Sequence, residues 1–170
     1  MGCKLAVTVL AASAVASAWV SPLEAQRRLV PLHIAPPLIA EAVNDLSFGN
    51  VLPGIPASVK AGDPHHSGQF EVEGPKYASV RVEFTLPDAL VSYQGARLEI
   101  RFGYFDGFAD FSHGHPARGQ VFNPHRPVVR ALGPNGRLFL RLGGTVLPEL
   151  GQAGGAYRAT IAMTVYNLGS

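Results

Sequence analysis

Cysteine is what this sequence most conspicuously lacks: its 170 residues contain one, Cys3. A lone thiol cannot close an intramolecular disulfide, so the fold must be held by its core. Charge is also sparse, at 15% of residues, and the net formal charge is only +2. The basic residues are scattered, and the densest cluster is Gln26-Arg27-Arg28. That distribution excludes a nucleic-acid-binding protein and gives no footing on an anionic lipid surface. Motifs that carry chemistry are missing too. There is no HExxH, no paired-cysteine metal spacing and no GxSxG nucleophile turn. The glycine-rich stretch Gly151–Tyr157 has no Lys-Ser/Thr to cradle phosphate, and Asp106 and Asp110 lack the alternating oxygen ligands and distal glutamate of an EF-hand. Asp110, Ser112 and His113 have the residue types of a hydrolytic triad, but neighbours on one strand point to opposite faces. The expectation is a non-enzymatic protein with no cofactor.

The N-terminus has the pattern of a secretory leader. Lys4 precedes an apolar run from Leu5 to Val20, and small residues lead to Ala25. The run falls short of the ~20 residues a spanning helix needs, so residues 1–25 are expected to be removed and to leave no membrane span. Cys3 lies ahead of the apolar run, which is not where a lipoprotein carries its acylated cysteine. Cleavage after Ala25 takes away the only cysteine and leaves 145 of the 170 residues, enough for one domain. The sequence therefore divides into a leader (1–25), an N-terminal extension (26–37) and one domain (38–170) placed in the periplasm, on the outer surface or outside the cell.

Glycine (19) and proline (14) punctuate the chain from about residue 48 onward and leave no room for a long helix. Between them, apolar residues recur with period two. Phe70 and Val72 alternate with Gln69, Glu71 and Glu73. Val80, Val82, Phe84 and Leu86 alternate with Arg81, Glu83 and Thr85. Leu98, Ile100 and Phe102 alternate with arginines and Glu99, and Leu138, Leu140 and Leu142 with Arg137, Phe139 and Arg141. Each such strand is expected to have one core face and one wet face, as antiparallel sheets stacked in a sandwich do. Leu132–Arg137, with Pro134 and the Asn135-Gly136 pair as positive-φ positions, predicts a hairpin turn between residues 127–132 and 137–142. Gly143-Gly144 predicts a bulge or sharp bend. The count comes to about eight strands, beginning with one around Leu38–Phe48, in an immunoglobulin-like antiparallel β-sandwich.

The last strand pattern, Tyr157 to Tyr166, is the cleanest. Tyr157, Ile161, Met163 and Val165 share one face. A strand here must find a neighbour on each side or leave backbone groups unpaired. Several stretches in order resemble the DUF4402 family of exported bacterial domains: Leu46-x-Phe48-Gly49, Gly74-Pro75 before a strand ending in Leu86-Pro87, Gly143-Gly144-Thr145, and Gly155-x-Tyr157 through Val165-Tyr166-Asn167. The resemblance spans residues 38–167 and extends in style to spore coat protein U and chaperone–usher pilin-like subunits. It implies a pilin-like sandwich in the cell envelope, with no catalytic residues. It also implies that the place beside the last strand is left open for a strand from another copy or another envelope subunit. On that reading Tyr157, Ile161, Met163 and Val165 floor the groove, and Val30, Leu32 and Ile34 alternate on a candidate donor strand. Pro31 lacks an N–H and weakens the donor; the alternative is that this stretch is a first strand or a tail of its own domain.

The middle of the chain departs from the family pattern. His113 and His115 are two apart and would share a face of an extended segment. With His65 or His125 they form a candidate three-nitrogen set for zinc or copper, against which stands solvation in Pro/Gly-rich loops. Tyr104, Phe105, Phe108 and Phe111 crowd the same region. The alternative function is thus a periplasmic or secreted ligand- or metal-binding module using the loop 104–125.

Overall fold

The computed structural model describes residues 37–111 and 119–169. Among them there is no helix. The described residues form thirteen strands in three antiparallel sheets, and none of them belongs to a helix long and apolar enough to cross a membrane. The first sheet has the order β1 (Ile39–Asn44), β3 (Gly68–Glu73), β10 (Arg137–Leu142), β7 (Gly107–Asp110), β8 (Gln120–Phe122). The second runs β12 (Tyr157–Arg158), β5 (Ala89–Ser92), β6 (Arg97–Arg101), β11 (Gly144–Leu147), β2 (Ala57–Val59). The third runs β13 (Ala162–Gly169), β4 (Ser79–Thr85), β9 (Val128–Ala131).

The period-two reading places the core correctly. Phe70 and Val72 of β3, with Leu138, Leu140 and Leu142 of β10, pack against Val80 and Val82 of β4 and Val128 of β9. The first and third sheets therefore face each other across one apolar layer. Phe84 ties them together, meeting Phe70 edge-on at 5.4 Å and stacking on Phe122 at 6.1 Å between ring centres. A second layer, Leu98, Ile100, Phe102 and Val146, lies under the second sheet.

The strand count exceeds the expected eight because long strands break where they change sheets. Residues 137–147 pair with β3 and β7 up to Leu142, then with β6 and β2 from Gly144. The hinge is Gly143. A Cβ there would lie 2.3 Å from the Val59 carbonyl oxygen and 2.6 Å from the Ala61 nitrogen, so only glycine allows the two segments to approach. The final strand breaks in the same way, into β12 against β5 and β13 against β4, rather than running unbroken from Tyr157 to Tyr166.

Two expectations are corrected. The turn before Arg137 does not close a hairpin: β9 pairs with β4 and β10 with β3, so the chain arches from one sheet to the other. Turn chemistry is the same in both cases, which is why the sequence did not separate them. Gly136 (φ +77°) alone takes the positive φ, and Asn135 instead accepts the Arg137 N–H on its side-chain oxygen. This arch seats against the β3–β4 arch, where the Gly74 N–H donates to the Gly136 carbonyl. Nor is the outer face of the first sheet wet along its middle strands. Phe139, Arg141, Gln69 and Asp110 point away from the core yet are buried, and Gln69 Nε2 donates to the Pro64 carbonyl at 2.6 Å. Toward the arches this face carries an ion-pair ladder, Arg137 to Glu73 (2.6 Å) and to Glu71 (3.1 Å).

Candidate functional site

Among the described residues, β1 ends the first sheet and β13 ends the third, and the two approach without sharing a ladder. Ile39 lies opposite Glu73 and Gly169 opposite Ser79, so both are beside the β3–β4 arch. Asn44 and Ala162 lie at the far end. The two strands thus run antiparallel along the two banks of a groove.

The inward side chains show how open that groove is. On β1, Ala40 and Ala42 sit opposite Val72 and Phe70, so they point toward the core, yet all six residues of the strand are exposed. On β13, Met163 and Val165 sit opposite Phe84 and Val82 and are only half-buried, although Val82 is fully buried. Among the described residues burial falls away over one strand step on each bank, as at the edge of a sheet.

The groove widens toward the second sheet into a cavity of about 960 Å³. Phe70, Leu98, Ile100 and Val146 floor it, Leu46 and Phe48 stand on the β1 side, and Tyr157 and Ile161 on the other. Ile161 packs against both apolar layers. Tyr157 is fixed twice: its hydroxyl donates to the Ala153 carbonyl (2.6 Å) and accepts from Gln152 Nε2 (2.7 Å). Asp45 and Arg158 are the charged residues on the rim. Among the described residues the arrangement offers apolar volume between two strands, β1 and β13, that each pair on one side.

Of the four residues expected to floor a groove, Tyr157 and Ile161 line the cavity, while Met163 and Val165 lie on β13 against the first apolar layer. The donor candidates Val30, Leu32 and Ile34 lie outside the described residues. Sequence reasoning missed the second bank: Ala40 and Ala42 are too small to stand out in a hydrophobic pattern, and only their register against Phe70 and Val72 shows that they face inward.

The histidines divide. His113 and His115 lie outside the described residues. His125 donates through Nε2 to the Phe102 carbonyl at 2.8 Å, which occupies that nitrogen. His65 belongs to an Asp63-centred turn. There Asp63 Oδ1 accepts the N–H groups of His65 (2.8 Å) and His66 (3.2 Å), and Oδ2 meets His66 Nδ1 at 3.0 Å. The hydrogen bond from His65 holds the Asp63 carboxyl below its ordinary value, and the His66 contacts act in the same direction. Among the described residues no three potential ligands converge on a metal position. A second, shallower cleft of about 840 Å³ lies between Lys60–Asp63 and Phe105–Phe108. Beside it Tyr104 and Phe105 are exposed and meet edge-on at 4.9 Å.

Comparison with protein-family models, with curated proteins and with solved structures found no match for this chain.

Proposed function

We propose that this protein is an exported, non-enzymatic envelope or surface subunit with a pilin-like, immunoglobulin-like sandwich, which assembles when a strand from another copy enters the groove between β1 and β13. The observation that carries the reading is the exposure of inward-facing Ala40 and Ala42 beside the buried core residues Phe70 and Val72. The leader-like residues 1–25 and the resemblance of residues 38–167 to the DUF4402 family support it.

The energetics show which interactions must do the binding. Three aliphatic side chains such as Val30, Leu32 and Ile34, fully buried, contribute roughly 5–9 kcal/mol gross at 1.5–3 kcal/mol each. Association costs about 4–15 kcal/mol in lost freedom. Side chains alone therefore give weak binding, and the backbone ladder along β13 must supply the rest, as in other strand-addition complexes. The test compares sedimentation of the chain starting at residue 26 with that of the chain starting at residue 37. The longer chain associates with rising concentration and the shorter one stays monomeric; identical behaviour would remove the donor role of residues 26–36.

A second reading rests on the exposed Tyr104–Phe105 pair: a binding module using the loop 104–125, with His65, His113, His115 and His125 as metal candidates. Stoichiometric zinc or copper binding by calorimetry, lost in a His113→Ala/His115→Ala variant, would favour it over the assembly reading.

A further inference from the structure

One end of the second sheet carries apolar side chains that belong to neither apolar layer. β2 and β6 flank β11, with Ala57 opposite Val146 and Glu99 opposite Leu147. Three loops therefore meet beyond that end: residues 50–56 before β2, 92–96 between β5 and β6, and 148–152 after β11. Their backbones are fixed by hydrogen bonds. Leu52-Pro53-Gly54-Ile55 is a type II turn, closed by the Ile55 N–H on the Leu52 carbonyl (3.2 Å). Proline takes its first central position and Gly54, at φ +74°, its second. The Gly95 N–H closes on the Ser92 carbonyl (3.0 Å), and Gly95 at φ +85° completes a three-residue hairpin loop. The Gly54 N–H donates to the Glu149 carbonyl (3.1 Å) and Gln152 Nε2 to the Arg97 carbonyl (3.1 Å), so the loop 148–152 is tied to both neighbours.

These loops hold four large apolar side chains out into solvent. Tyr93 is fully exposed, Leu150 is 90% exposed, and Leu52 and Ile55 are more than half exposed. Glu149 is the only charged residue in the three loops, where about a quarter to a third of a well-solvated surface is charged. Exposed apolar clusters of this kind mark interaction sites. Shape and charge choose the partner. The side chains project singly from separate turns, so a protein would need a fitted hollow for each, whereas a bilayer interface deforms around them. The near absence of charge matches a zwitterionic surface and not an acidic or basic one. A tyrosine among aliphatic side chains suits the headgroup level, where the ring is covered and its hydroxyl stays wet. We propose that this end of the second sheet is a membrane-surface anchor, which inserts Leu52, Ile55, Tyr93 and Leu150 into the interface of a zwitterionic bilayer. Attachment of this kind needs no basic cluster, and it is independent of strand docking because β1 and β13 take no part.

The chain starting at residue 26 is the form to test. It keeps both apolar layers and lacks the Leu5–Val20 run, which would bind lipid by itself. It also lacks Trp19, the only tryptophan, so Leu150→Trp places a single reporter at the tip. With phosphatidylcholine vesicles the protein co-sediments, and the emission of the Leu150→Trp variant shifts to the blue. Binding is the same at about 0.1 M and about 0.5 M salt, because no charge pairing is involved. Leu52→Ser/Leu150→Ser lowers the partition coefficient at least tenfold, since each inserted aliphatic side chain contributes roughly that factor or more. Thermal unfolding of that variant is unchanged, because both positions are exposed. Three results overturn the proposal: no co-sedimentation with phosphatidylcholine, equal binding by the folded double-serine variant, or binding that requires phosphatidylglycerol and is lost at the higher salt. Self-association that the double-serine variant loses, with no vesicle binding by the original, would likewise overturn it and assign the patch to a contact between copies.

Discussion

Enlarging Ala42 to leucine separates an open groove from a filled one by the sign of a stability change. Ala42 points toward the core, opposite Phe70, yet is exposed. Leucine adds three carbons, worth about 2.4 kcal/mol if wholly buried at ~0.8 kcal/mol per CH₂. Beside an open groove about half of that is realised. Ordering the leucine side chain costs about 0.5–1 kcal/mol. The net is a gain of roughly 0.2–0.7 kcal/mol, or a rise in Tm of about 1–3 °C for a domain of this size. Were the space already filled by the chain itself, the same change would overpack it and cost about 1–3 kcal/mol, lowering Tm by several degrees. The assay is thermal unfolding followed by circular dichroism at a concentration low enough to keep the protein monomeric. The added side chain also occupies donor space, so association measured by sedimentation weakens in the same variant. A fall in Tm of 3 °C or more, with association unchanged, would refute the reasoning.

Other substitutions test the frame around the groove. Gly136→Ala places a Cβ 2.3 Å from the Gly74 carbonyl oxygen at φ +77°, and urea unfolding is expected to show a loss of about 2 kcal/mol or more. Leu140→Ala, at a position with no exposure, should cost about 2–5 kcal/mol with an unchanged urea m-value. The Asp63 carboxyl is held below its ordinary 3.8, chiefly by the His65 N–H, so its charged form is favoured by folding. Its contribution is present above about pH 4 and is lost as pH falls through the lower folded value. Tm measured from pH 6 to pH 2 should therefore fall less steeply below pH 4 in Asp63→Asn; an identical slope would show that the turn does not couple to folding.

Period two made the buried faces of β3, β4, β6 and β10 legible, because Val72, Val80, Val82, Leu98 and Ile100 alternate with polar residues and Leu138, Leu140 and Leu142 with Arg137, Phe139 and Arg141. It could not show whether the second face is covered, and Phe139 and Arg141 turned out to be buried on it. Connectivity was less legible. The Gly133–Gly136 turn has hairpin chemistry but joins two different sheets, and that outcome depends on where β4 and β3 find partners. The bend expected at Gly143-Gly144 was read correctly as a bend, while its role as a switch between sheets depends on the distant backbone at Val59–Ala61. The core-facing side of the last strand could be read from Ile161, Met163 and Val165. The β1 bank could not, because side chains as small as those of Ala40 and Ala42 carry little hydrophobic signal.

The most direct measurement is hydrogen exchange at the backbone amides of β13 and β1 in the chain starting at residue 26, followed as a function of protein concentration. In antiparallel β13, alternate amides face away from β4. The account predicts that these exchange rapidly in dilute protein and slow as concentration rises, with the chain starting at residue 37 remaining fast throughout. Protection of the same amides at every concentration, in both chains, would contradict it, because the groove would then already hold a strand of its own.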